Sequence, residues 1–116
     1  MDELLKNYDH VRERLDELTA QMGESKVLQD AREARRVGRE RARFERILKA
    51  MDAYRESLAA VAEGEEILAG NDAELQEIVR DELPKSRERL AAAETTLKDL
   101  LSPRDPNDEK DVLIEI

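Results

Sequence analysis

Half of the chain's twenty Lys and Arg residues fall between positions 26 and 55: Lys26, Arg32, Arg35, Arg36, Arg39, Arg41, Arg43, Arg46, Lys49 and Arg55. Five acids share that window (Asp30, Glu33, Glu40, Glu45, Asp52). The window is therefore +5 in a chain of net charge −9, which leaves −14 for the rest. Arginine has a planar fork that donates two hydrogen bonds to one phosphate or carboxylate. A basic segment in an acidic protein can meet phosphate or an acidic partner. The same pattern also suits a solvated helix face laced with i,i+4 ion pairs. The residue types leave both readings open.

Other chemistries find little to work with. The four glycines, Gly23, Gly38, Gly64 and Gly70, are too scattered for a phosphate-cradling loop. With one histidine and no cysteine the chain has no disulfide, no thiol nucleophile and no set of zinc donors. His10 flanks an apolar seam and reads as a surface residue. Ser25, Ser57, Ser86 and Ser102 have no histidine base at a plausible position. The many carboxylates read as solvated helix surface rather than an acid–base pair. Tyr8, Phe44 and Tyr54 sit at seam positions and read as core, not as stacking platforms for bases. A binding or structural module, with no catalytic role and no cofactor, is the expectation.

The elements that position these residues follow from periodicity. Apolar residues make up 40% of the chain and charged residues 42%, with one Phe and no Trp. That balance suits thin helices with narrow apolar seams better than a broad core. Leu4, Tyr8, Val11, Leu15, Leu18 and Met22 repeat at alternating steps of four and three, a coiled-coil seam over 2–22. Asp2 is placed to cap its start, and Gly23 to end it in a left-handed cap. Val27 and Leu28 should pack down as a plug. Asp30 and Glu33 resemble a capping box that opens a second helix over 31–69. Its seam is Val37, Phe44, Ile47, Met51, Tyr54, Leu58, Val61 and Leu68, interrupted by Glu40 and Glu65. Gly38 and Gly64 mark a bend or close packing within it. Gly70-Asn71-Asp72 is a turn between antiparallel helices. The third helix, 72–101, has the seam Leu75, Val79, Leu83, Leu90, Ala93, Leu97 and Leu100, with Ile78 beside Val79. Pro84 inside it predicts a kink, or else two helices meeting near Leu83. No stretch reaches the roughly 20 apolar residues of a membrane span, and no signal-peptide pattern opens the chain, so a cytoplasmic protein is expected. The fold class is all-α: an antiparallel bundle or hairpin of three long coiled-coil-like helices, occupying 1–101.

Beyond Leu101 the texture changes. Ser102-Pro103 ends the helix, Pro103 and Pro106 stiffen a connection over 102–111, and Asn107-Asp108 favour a turn. Val112-Leu113-Ile114-Glu115-Ile116 then reads as a β-strand, which needs a sheet to pair with. The expectation is the first strand of a further domain.

The stretch Pro103-Arg104-Asp105-Pro106-Asn107-Asp108-Glu109-Lys110, followed by a Val/Ile-rich strand, resembles the linker after the helical N-terminal domain of bacterial class I peptide chain release factors, the UAA/UAG-reading type. "LQDAREARRVGRERARFERI" upstream is similar in order and texture. The resemblance implies the N-terminal helical docking domain of a translation termination factor. In that family a tripeptide motif reads the stop codon and a Gly-Gly-Gln motif directs peptide release. Neither motif is present in these residues. The implied partners are the ribosome, at the stalk base or GTPase-associated centre (ribosomal RNA and protein), and the class II release factor GTPase. Within that reading Arg32, Arg35, Arg36, Arg39 and Arg43 are the candidate contact face. Two alternatives stand beside it: a stand-alone coiled-coil adaptor, able to homodimerise through its seams, and the same domain of a ribosome-rescue relative.

Overall fold

A computed structural model describes residues 3–102. The helix order is a 3-10 turn at Glu3–Leu5, then α1 Tyr8–Met22, α2 Ser25–Leu28, α3 Ala31–Leu68 and α4 Ala73–Leu101. No strand occurs among the described residues. Pro103 to Ile116 lie outside them, and with them the stiffened linker and the strand at 112–116; so does Asp2, the expected first cap.

α3 is the spine of the molecule. Its 38 residues run to about 57 Å at ~1.5 Å per residue, close to the 63 Å long axis of the molecule. α1 and α4 both pack antiparallel to it. α1 lies along the N-terminal half, where Tyr8 meets Asp52 and Arg14 meets Glu40. α4 runs back from the other end, where Glu65 meets Arg87. All three helices meet around Val11, Ile47, Ala50, Met51, Tyr54 and Leu97, the main core. A smaller cluster of Leu18, Val27 and Val37 closes the end formed by α1, α2 and the start of α3. Phe44 packs against both clusters and joins them.

The helix boundaries have local causes. Asp30 accepts hydrogen bonds from the backbone N–H groups of Arg32 (3.1 Å) and Glu33 (3.2 Å), which starts α3 as expected. The reciprocal half of the capping box does not form, because the Glu33 carboxylate turns to Arg36. Asp72 caps α4 by accepting from Leu75 N–H at 3.1 Å. The Gln76 side chain then reaches back to the carbonyls of Gly70 (2.7 Å) and Leu68 (3.3 Å). One short turn thus satisfies the donors opening α4 and the acceptors closing α3.

Three expectations are corrected and one alternative is set aside. α1 begins at Tyr8 rather than Asp2, because the separate 3-10 turn brings both Leu4 and Leu5 against the main core. Gly23 keeps a right-handed conformation (φ −90°, ψ −3°), and its N–H bonds the Ala20 carbonyl, so the chain leaves α1 without a left-handed cap. Val27 is buried as expected, but Leu28 is 67% exposed, because a single-turn helix has one inward face. Of the two readings of Pro84, that of two separate helices is set aside: α4 runs through it as one helix. Pro84 is exposed, so the carbonyl it deprives of a donor lies on the solvent side, where water can satisfy it.

The seams are otherwise those read from the periodicity, with graded burial. Leu18, Val37 and Leu97 are fully buried and Met51 almost so. Leu58 and Val61 are half-buried, and Leu75 and Ile78 are exposed. The two carboxylates that interrupt the α3 stripe each find a cation on a neighbouring helix. Glu40 pairs with Arg14 at 3.2 Å and Glu65 with Arg87 at 3.2 Å.

Candidate functional site

The structure places all five of Arg32, Arg35, Arg36, Arg39 and Arg43 on the exposed surface of α3. They divide by what they touch. Arg36 is committed locally: its Nε donates to Glu33 at 3.0 Å, and its Nη1 donates to Glu40 at 3.3 Å. The Glu33 hydrogen bond lifts the Arg36 pKa further and holds the Glu33 carboxyl below its ordinary range. Arg43 lies 5.9 Å from the centre of the Phe44 ring, within reach of a cation–π contact. Arg32, Arg35 and Arg39 make no side-chain hydrogen bond or ion pair among the described residues.

Arg46 was not singled out from the sequence and belongs with them. It is exposed and unpaired among the described residues, and it stands seven residues after Arg39 and fourteen after Arg32. The heptad count that defined the seam would have found it. Arg32, Arg35, Arg39, Arg43 and Arg46 follow one another at steps of three, four, four and three, so they form one stripe. It spans about 21 Å of helix.

Two features position the stripe. Stepping back by heptads from Gly64, which packs on Leu83 of α4, gives Ser57, Ala50 and then Arg43 and Arg36. Small residues lie where α4 covers α3, and arginines continue the same surface where α4 has ended. The second feature is the helix start. Arg32 stands in the first turn of α3, where a cation opposes the helix dipole. Its place there is not explained by helix stability.

His10 and the three aromatic side chains lie where the seam spacing put them. His10 is exposed. Tyr54 is 5% exposed within the main core, and Phe44 and Tyr8 are half-buried against it. No group of three or more His, Cys, Asp or Glu side chains is arranged to hold a metal among the described residues. No helix among them is long and apolar enough to cross a membrane.

Comparison with known proteins decides the family. The PCRF domain matches residues 11–116. The chain belongs to the PCRF-domain family. This PCRF domain is 40% identical over 114 residues to peptide chain release factor 1 of Anaeromyxobacter dehalogenans (strain 2CP-C). It is 37% identical over 114 residues to the protein of the same name from Anaeromyxobacter sp. (strain Fw109-5), and 37% over 113 residues to that of Myxococcus xanthus (strain DK1622). Each alignment covers 97–98% of this chain and 31% of the relative. The PCRF domain thus spans about a third of the length of the curated relatives it matches. No solved structure matches it. The resemblance to bacterial class I release factors is borne out, and neither the adaptor nor the rescue-factor alternative gains support.

Proposed function

We propose that this chain is the helical docking domain of a translation termination factor, cytoplasmic, and that it holds the factor to the ribosome through the arginine stripe. Stop-codon reading and peptide release belong to parts of the relatives that these residues do not span, and the chain itself is not an enzyme. The observation that carries the reading is the stripe: Arg32, Arg35, Arg39 and Arg46 are exposed and, among the described residues, unpaired, on a helix of a chain 40% identical to a release factor. Arg43 adds a fifth guanidinium. A rigid row of guanidinium groups matches a phosphate backbone, because each fork can donate two bonds to one phosphate and releases counterions on contact.

Ribosomal RNA at the stalk base, in the GTPase-associated centre, is the proposed contact, beside ribosomal protein. The class II release factor GTPase is the proposed functional partner there. The chain acts as a monomer on this reading: the fully buried seam residues Leu18, Val37 and Leu97 are already covered within one chain, which leaves little for a homodimer. The test is cosedimentation of the chain with bacterial ribosomes at low salt. The wild type should pellet with them, and Arg32→Glu/Arg35→Glu/Arg39→Glu should stay in the supernatant. Equal pelleting of both would overturn the reading.

A further inference from the structure

The rod is electrically divided. At the end away from the arginine stripe, residues 63–82 carry eight carboxylates against one cation, Arg80. Of these, only Glu65 and Glu82 form ion pairs among the described residues, with Arg87 and with Lys85. The others stand unneutralised around the α3–α4 turn.

The same end holds exposed apolar surface. Ile78 is 60% exposed and Leu75 is 44% exposed, one turn apart on α4. One turn further on, Val79 and Leu83 form a wall of a shallow groove of about 170 Å³ between α3 and α4, opposite Gly64. Glu63 on α3 and Glu82 on α4 also line it, and both are exposed. The groove floor is apolar, its rims are carboxylates, and Leu75 and Ile78 continue it toward the turn.

We propose that this end of the rod is a docking surface for a basic amphipathic helix of a protein partner. The apolar face of such a helix covers Leu75 and Ile78 and fills the groove, while its Lys and Arg side chains meet the carboxylates on the rims. Nucleic acid is excluded here by like charge. A second copy of this chain would meet this end with its arginine stripe in an antiparallel side-by-side dimer, and the sedimentation arm of the test distinguishes that occupant. The surface is separate from the arginine stripe, and neither proposal depends on the other.

The test uses the 116-residue chain and a fluorescent Leu/Lys peptide of about 18 residues with leucines at helical spacing, beside a Leu/Glu peptide of the same apolar pattern. The Leu/Lys peptide should bind at physiological salt and the Leu/Glu peptide should not. Leu75→Ser/Ile78→Ser removes no charge and should weaken binding by about tenfold or more. Arg32→Glu/Arg35→Glu/Arg39→Glu should leave it intact. If the serine variant loses its helical melting transition, Glu63→Lys/Glu82→Lys takes its place with the same expected loss. Three results would each overturn the proposal: no binding of the Leu/Lys peptide, binding that ignores these substitutions, or concentration-dependent self-association in sedimentation that the same substitutions abolish.

Discussion

A Cβ atom placed on Gly64 would lie 2.9 Å from Cδ1 of Leu83, so α3 and α4 make this approach because residue 64 has no side chain. Gly38, 26 residues earlier on the same helix, is a different case: nothing lies within 4 Å of its missing Cβ. The two glycines separate packing from propensity. Gly38→Ala should stabilise the fold by about 1 kcal/mol, the ordinary helix-propensity gain. Gly64→Ala should be neutral or destabilising by up to about 2 kcal/mol, because overpacking against Leu83 costs ~1–3 kcal/mol. In a Leu83→Ala background the full gain should return. Urea melts of the four variants check this double-mutant cycle. Equal effects of Gly64→Ala in both backgrounds would show that the contact carries no energy.

Burial ranks the core substitutions. Leu97 is fully buried where the three helices meet. Leu97→Ala should cost about 3–5 kcal/mol. Leu58, half-buried on the spine, should cost clearly less, and thermal melts of the two variants give the order. A larger loss at Leu58 would mean that the main core is not where stability resides.

Tyr8 binds α1 to α3 through a proton. Its hydroxyl donates to Asp52 Oδ1 at 2.6 Å, and the Arg55 guanidinium lies 4.3 Å from the ring centre. The hydrogen bond to Asp52, with burial, raises the phenol pKa above its ordinary value. The folded state therefore holds this proton more tightly than the unfolded chain does. The resulting stability is fully present below the unfolded phenol pKa of about 10, and is lost as pH rises through the folded value. Wild type should lose more stability than Tyr8→Phe between roughly pH 9 and pH 11 in chemical denaturation. Parallel losses would remove Tyr8 as the cause.

The α3–α4 turn is held by two polar side chains. Asp72→Ala should cost about 1 kcal/mol through the lost cap. Gln76→Ala strips the side-chain donor from the carbonyls of Leu68 and Gly70. Amide hydrogen exchange at the two helix ends reads both effects, and protection should fall there and not at the main core.

What the sequence revealed follows from how local the signals are. The caps at Asp30 and Asp72, the seams and the turn at Gly70 are each written in neighbouring residues. The heptad steps placed Leu18, Met51 and Leu97 inside. Exposure of Leu28, Leu75 and Ile78 depends instead on where neighbouring elements stop, which periodicity does not encode. Gly23 was expected to be left-handed because glycine permits it, but permission is not a requirement. Gln76 works across the turn, onto a helix six to eight residues back. In the arginine window the ion-pair reading holds for Arg36, whereas Arg32, Arg35 and Arg39 make no ion pair among the described residues. Composition could not divide them, because the division rests on where Glu33 and Glu40 reach.

The most direct test of the docking role is the salt dependence of ribosome binding by the chain, wild type against Arg32→Glu/Arg35→Glu/Arg39→Glu. If these arginines meet phosphates, the variant binds more weakly and the slope of log K against log salt falls by about three, roughly one for each lost contact. An unchanged affinity with an unchanged slope would contradict the assignment of the arginine stripe as the ribosome-facing surface.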